Sequence, residues 1–361
     1  MNYLCTGCLG FIGSNFVNFY KNKYPGCNIV VLDKNDYCAS EENITNKSIK
    51  IITGDILDLD LVSKILYDND INIIINFAAE SHVDNSFNNS LQFTDTNVKG
   101  THTLLEAARL YNNITNNIVK FIHVSTDEVY GSVDDDDEMR SETSLIKPTN
   151  PYAASKAAAE FIVNSYYESF KLPIIITRAN NVYGINQFPE KVIPKFICQL
   201  LDGNPVTIHG QGLTRRNFIH VDDVCTAYEI IIEHGKINEV YNISASKNNE
   251  FSVGEIADML IDITGSNKST SISYVEDRNI NDFRYCTCSK KLEKLGWKPE
   301  KTNFKEEIVK LVDWYSKNRF RYSLYKKSQN LNSLLNNPAF IVDTFIAVGF
   351  MSMIIFTAYN F

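Results

Sequence analysis

Three glycines, Gly7, Gly10 and Gly13, join a short apolar run, Asn2-Tyr3-Leu4-Cys5-Thr6, to a stretch that reads as helix from residue 11 to about 22. No other feature constrains the fold as much. Glycine lets the backbone approach a pyrophosphate closely, and the start of a helix offers free N–H groups and a positive dipole end. Such a spacing is weak alone, but here it has context. Residues 28–32 read as a second strand ending in Asp33, 20 residues after Gly13. An acid there bonds the ribose hydroxyls of an adenosine and repels a 2′-phosphate, so the pattern predicts NAD rather than NADP. Plain turn glycines would not come with the strand, the helix and the acid together.

Strand and helix signals then alternate. Residues 49–53, 73–77, 120–125 and 173–177 are short apolar or β-branched runs, separated by amphipathic stretches at 59–67, 91–111 and 152–170. This predicts an α/β, Rossmann-type doubly wound parallel sheet. Such sheets bind ligands beyond the carboxyl ends of their strands. Gly54-Asp55-Ile56, Phe77-Ala78-Ala79-Glu80-Ser81 and Ser125-Thr126-Asp127 all follow expected strands and should converge on one cleft. Beyond residue 180 the alternation loosens. Helices are expected at 189–202, 221–233, 252–264 and 303–318, and strands at 206–209 and 239–243. The expected organisation is an NAD-binding domain at 1–180, a smaller C-terminal α/β substrate lobe at 181–325, a linker at 326–338 and an apolar tail at 339–361.

Tyr152 and Lys156 stand four apart, so on a helix they share one face. The lysine ammonium is expected to lower the pKa of the phenol and make it a usable base toward a sugar hydroxyl. Asp127 and Glu128 add two adjacent carboxyls. A simple dehydrogenase needs neither. An enzyme that oxidises and then eliminates water needs one group to give a proton and another to take one. The nearby acidic run at 134–138 reads as a solvated loop and is assigned no chemistry.

With these residues on the page, the chain resembles the extended short-chain dehydrogenase/reductases, and within them the nucleoside-diphosphate-glucose 4,6-dehydratases that act on dTDP-glucose or UDP-glucose. The likeness runs from Asn2 to about Asn318. It rests on the Thr6-to-Gly13 turn, Ala78-Ala79-Glu80-Ser81-His82-Val83-Asp84, Ser125 to Gly131, and Tyr152 to Lys156. Asn180-Asn181-Val182-Tyr183-Gly184, Gln187 to Pro194, Asn281-Asp282-Phe283-Arg284-Tyr285 and Leu295-Gly296-Trp297 extend it. The Thr126-Asp127-Glu128 triplet is the most specific part. Similar sugar 4-epimerases carry small residues in place of the two acids, and UDP-glucuronate decarboxylases keep the Glu but usually carry Ser before it. Those enzymes, and a non-catalytic NAD-binding protein, are the competing readings. Cys8 and Asn279 depart from the family pattern without disturbing the spaced glycines.

The resemblance implies hydro-lyase chemistry early in deoxysugar (rhamnose-type) synthesis. Tyr152 and Lys156 would oxidise C4, Glu128 would take the C5 proton, Asp127 would protonate the C6 hydroxyl, and Thr126 would bond O4. It implies cofactor contacts at Gly7, Gly10, Phe11, Ile12, Gly13, Asp33, Lys34, Asp55, Ile56, Phe77, Ala78, Ala79, Ser81, Asn97, Ser125, Tyr152, Lys156 and Asn180. Substrate contacts would come from Ser81, Thr126, Asn181, Glu190, Lys191, Val192, Arg216, Asn242 and Arg278. The spacing from Gly212 favours Arg216 over Arg215. A homodimer is expected through a four-helix bundle of 91–111 and 152–170. Leu104, Leu105, Ala107, Ala108 and Leu110, with Ala157, Ala158, Phe161, Ile162 and Tyr166, provide more than the single apolar stripe that a sheet-covering helix needs.

The 361 residues carry a net charge of −8 and no basic stripe, which argues against nucleic-acid binding. Residue 2 already enters strand one, so no secretory signal is expected, and the catalytic part is expected in the cytoplasm. Eight cysteines include Cys5-x-x-Cys8 and Cys286-x-Cys288. A metal at the first would displace the pyrophosphate, so reduced thiols and no metal site are expected. The tail 339–361 is about long enough to span a bilayer, with Lys326 and Lys327 before it. Asp343 would be costly deep in lipid, so a tail anchor and a helix packed on protein both fit.

Overall fold

The computed structural model describes residues 1–322 apart from 134–138 and 278–279. The chain divides into a unit Met1–Trp314 and a second beginning at Tyr315. Arg278, the linker 326–338 and the apolar tail 339–361 lie outside the described residues. Among the described residues no helix is long and apolar enough to cross a membrane.

Among the described residues twelve strands form: β1 Asn2–Thr6, β2 Asn28–Asp33, β3 Lys50–Thr53, β4 Ile73–Asn76, β5 Lys120–Thr126, β6 Ile174–Ala179, β7 Asn181–Tyr183, β8 Val206–His209, β9 Arg215–His220, β10 Glu239–Ile243, β11 Glu250–Ser252 and β12 Ile272–Val275. Seven build one parallel sheet in the order β10-β6-β5-β4-β1-β2-β3. β2, β4 and β6 carry continuous runs of Ile, Val and Leu because both faces of the sheet are covered. On one face the helices Phe11–Lys23 and Val221–His234 pack through Phe16, Val17, Val224, Tyr228 and Ile231. On the other, Leu59–Asp68, Thr101–Thr115 and Pro151–Phe170 pack through Val62, Ile65, Leu104, Leu105, Ala108 and Val163.

The order reverses between β1 and β4, where a doubly wound sheet opens its ligand crevice. The division at residue 180 does not follow the fold. The helix Val221–His234 and β10 return to the large sheet, β10 pairing with β6 from Glu239↔Ile175 to Ile243↔Ala179. A short apolar run announces a strand, but nothing local says which sheet it joins. The remaining elements form β11-β9-β7 and β12-β8, with the helices Val192–Leu201 and Val253–Thr264.

The expected helix 91–111 is broken into Ser90–Phe93, a wide π-helical turn Thr94–Gly100 and the helix Thr101–Thr115. The dimer face also needs correction. Leu104, Leu105, Ala107, Ala108, Ala157 and Tyr166 are buried in the chain's own core, whereas Leu110 and Phe161 stay exposed, beside Leu91, Ile114 and Phe170.

Candidate active site

The carboxyl ends of β1, β2, β4, β5 and β6 open onto a cavity of about 290 Å³. Gly7 has φ +69°, and a Cβ there would lie 2.5 Å from Ala78 Cα, so only glycine lets the first turn lie against the loop after β4. The helix Phe11–Lys23 starts with no capping side chain at Gly10 and no acid in its first turn. Its N–H groups therefore face the cleft available to an anion. Asp33, at the end of β2, accepts from Leu9 N–H through Oδ2 and from Asn35 N–H through Oδ1, both at 2.8 Å. Burial raises its pKa, and these two bonds oppose the rise.

Asn150 caps the helix Pro151–Phe170, its side chain accepting from Ala153 N–H at 2.8 Å. Proline at the first position is preset for the helix and needs no N–H partner there. This places Tyr152 and Lys156 on the face turned to the cavity. Lys156 Nζ donates to the Val124 carbonyl at 2.6 Å, and burial lowers its pKa to about 8. The expected lowering of the Tyr152 pKa is not what the cleft produces. Burial raises it, and the Glu128 charge adds to the rise; the Thr126 hydrogen bond only opposes it.

Thr126 ends β5 and its Oγ1 accepts from Glu128 N–H at 3.3 Å, which turns the chain so that both acids face inward. Asp127 is 3% exposed. Burial pushes its pKa up to about 7. The Asn180 hydrogen bond and the Arg216 charge oppose that rise, and the Glu128 charge adds to it. Burial also raises Glu128, against the pull of Arg216 and Lys191 and a 3.3 Å bond from Asn150 Nδ2 to Oε2. Below the turn, Arg178 is ion-paired to Glu160 at 2.5 Å and donates to the Tyr130 hydroxyl at 2.7 Å. That buried pair ties the acid-bearing turn to the helix of Tyr152.

Of the residues expected to touch the cofactor, all but Asn97 line the cavity. Asn97 is buried in the π-helical turn. It accepts from Glu80 N–H at 2.8 Å and donates to the Glu80 carbonyl and to Ser155 Oγ, so it holds the loop rather than a ligand. Ser81, Thr126, Asn181, Glu190 and Lys191 line the cavity; Val192, Arg216 and Asn242 do not. Asn242 is fully buried, accepting from the Tyr130 hydroxyl and donating to Glu142 and the Arg140 carbonyl. Val192 only begins its helix. Arg216 is half-buried and outside this lining, yet its charge reaches both acids. Arg215 turns instead to Glu250 and Glu255.

Tyr37 and Phe188 line the cavity without having been expected there, and Glu80 lines it without having been assigned a contact. Tyr37 donates to Glu190 at 2.7 Å, and Lys34 pairs with Glu80 at 2.7 Å. Tyr37 follows the carboxyl end of β2, so the strand-end rule could have found it. Glu80 lay within a stretch already expected at the cleft.

The family model described as GDP-mannose 4,6 dehydratase matches residues 4–311. The chain belongs to this family. It is 46% identical over 322 residues to a trifunctional UDP-glucose 4,6-dehydratase/UDP-4-keto-6-deoxy-D-glucose 3,5-epimerase/UDP-4-keto-L-rhamnose-reductase of Arabidopsis thaliana, covering 88% of this chain and 47% of that one. The chain thus spans about half the length of this plant relative. It is 44% identical to a dTDP-D-glucose 4,6-dehydratase of Homo sapiens, over 90% of this chain and 93% of that one. A dTDP-glucose 4,6-dehydratase from Streptomyces venezuelae, solved with NAD bound, superposes with a TM-score of 0.83 at 36% identity. It covers 90% of this chain and 99% of its own. These relatives are of the kind the motifs led us to expect.

Proposed function

We propose that the chain is an NAD-dependent hydro-lyase that converts a nucleoside-diphosphate glucose, UDP-glucose or dTDP-glucose, to the 4-keto-6-deoxy sugar nucleotide. The observation that carries this reading is the adjacent acid pair facing one cavity with Tyr152 and Lys156, with Asp127 held up at about 7. Elimination of water needs one group to give a proton and another to take one, and two adjacent acids can divide those roles.

The residues fit NAD. Gly7 leaves a cradle that a Cβ would fill, and Ser125 Oγ and Asn181 Oδ1 are buried polar atoms at the cavity wall without a hydrogen-bond partner among the described residues. Gly7, Gly10, Gly13 and the helix start would hold the pyrophosphate, and Asp33 the ribose. When bound, NAD supplies the acceptor and later the donor of one hydride, and while oxidised a positive charge that favours ionisation of a nearby phenol.

Tyr152 takes the O4 proton as C4 is oxidised, with Thr126 donating to O4. The ketone acidifies the C5 hydrogen, and Glu128 removes it. Asp127 gives its proton to the C6 hydroxyl, which leaves as water. Lys191 and Arg216 offer cations to the diphosphate. We also infer a homodimer through exposed Leu91, Leu110, Phe161 and Phe170; a monomer by sedimentation at micromolar concentration would contradict it.

Incubating the protein with each donor and reading the 4-keto chromophore in alkali tests the proposal. Product from one or both donors is expected. Epimerised sugar without dehydration, or no reaction with either, would overturn it.

A further inference from the structure

Residues 282–287 lace together three parts of the site. Phe283 N–H donates to Ser132 Oγ at 3.1 Å, and the Arg284 carbonyl accepts from Val133 N–H at 3.0 Å. Both partners follow the acid-bearing turn. The Phe283 carbonyl accepts from Arg215 N–H at 2.7 Å, which ties the same stretch to β9. Asn180, whose amide bonds Asp127, also donates to Thr287 at 3.0 Å.

Tyr285 lies in this stretch, 4% exposed. The Arg216 guanidinium lies over its ring, 4.5 Å from the centroid. Arg216 Nη1 also donates to the carbonyls of Arg215 at 2.7 Å and Asp282 at 3.0 Å. Arg216 forms no ion pair among the described residues, while its neighbour Arg215 has two. The Tyr285 hydroxyl donates to the Asp282 carboxylate, which accepts the Thr149 hydroxyl as well. Thr149 adjoins Asn150, the residue that bonds Glu128 and caps the helix of Tyr152.

We propose that Tyr285 is a positioning residue: its ring is the shelf that holds Arg216 toward the acid pair and the substrate diphosphate. The proposal rests on the dehydratase reading for what Arg216 meets. A flat guanidinium over an aromatic face is held both by packing and by the ring quadrupole, and an aliphatic side chain supplies only the first. The groups facing Glu128 are Asp127 beside it, Tyr152 from the helix, Lys191 from the segment before Val192–Leu201, Arg216 from β9, and Asp282 and Tyr285 from the lacing stretch. Arg216 and Lys191 favour its ionised form; loosening Arg216 removes one of them.

The test compares Tyr285→Phe with Tyr285→Leu in the NAD-loaded protein, with two readouts. Calorimetric titration with UDP and dTDP should show the Phe variant within about twofold of the parent and the Leu variant about tenfold weaker. The acid limb of the rate–pH profile should move up by about one pH unit in the Leu variant only, because Glu128 then ionises at higher pH. Should the Leu variant fail to fold, Tyr285→Met keeps the bulk without a π face and takes its place. Equal affinities for Phe and aliphatic variants, or a parent that binds neither nucleotide, would overturn the proposal. If the parent makes no 4-keto product, the dehydratase reading fails, and the nucleotide titrations still decide the role of Tyr285.

Discussion

Asn180 donates its side-chain amide to Asp127 Oδ2 at 2.8 Å. Thr126 Oγ1 also donates to Oδ1, at 3.4 Å, so both oxygens accept from neighbours and either can carry the proton of the neutral acid. With a pKa of about 7, Asp127 can give that proton at neutral pH. The elimination step should slow as pH rises through about 7, where Asp127 loses its proton. It should also slow at low pH, where Glu128 gains one. Elimination rates from single-turnover mixing should fall on both sides of an optimum, the alkaline limb lying near pH 7. A rate still rising above pH 8 would exclude Asp127 as the acid.

The same carboxyl should mark the stability curve. Its pKa is raised on folding, from 3.8 to about 7, so the folded state binds the proton more tightly than the unfolded state. Stability from this group is then full below the unfolded value and is lost as pH rises through the folded one. Asp127→Asn keeps an acceptor for Asn180 and cannot ionise. It should raise the unfolding free energy at pH 8 by an amount on the order of a few kcal/mol, seen as a higher melting temperature, and change it little at pH 4. Thermal unfolding at the two pH values checks this.

Asp33→Ala removes the acceptor of both the Leu9 and Asn35 N–H groups. Each buried donor left without a partner costs about 1–3 kcal/mol. The variant should bind NAD more weakly, lose its preference against NADP, and unfold at lower denaturant. Titration with both dinucleotides, beside a denaturant melt, separates the first effects from the last. Retained discrimination against NADP would count against the role of this acid.

Glu160→Gln should be the most damaging change outside the cavity wall. Glu160 and Arg178 are both almost fully buried, and the variant leaves the guanidinium charge uncompensated. Breaking one side of such a pair costs about 3–5 kcal/mol. Because Arg178 also bonds Tyr130 of the acid-bearing turn, turnover should fall along with stability. Urea unfolding with steady-state rates on the same sample checks both.

Most of the first sheet was legible because its strands are buried on both faces, so short runs such as Ile73–Asn76 and Ile174–Ala179 stand out without tertiary information. The glycine turn and Asp33 were legible because their spacing reflects a backbone requirement. What a side chain does after packing was not legible. Asn97 and Asn242 are polar residues near the cleft, and only the structure shows Asn97 clamping Glu80 and Asn242 bonded to Tyr130. Tyr285 was legible only as part of the resemblance at 281–285, and the structure shows Arg216 over its ring. The Tyr152–Lys156 spacing was right, but the pKa inference drawn from it ignored burial and the adjacent Glu128. The π-helical turn at Thr94–Gly100 has no sequence period of its own.

The division of labour between the oxidising pair and the acid pair is the centre of the account, and Glu128→Gln tests it most directly. Gln keeps the shape and the Asn150 contact but cannot take the C5 proton. The variant, loaded with NAD and mixed with the turned-over donor, should show absorbance near that of bound NADH rising once and staying, with 4-keto-6-deoxy product falling by at least about a hundredfold. Near-parental product formation by Glu128→Gln, or no NADH signal at all, would contradict it.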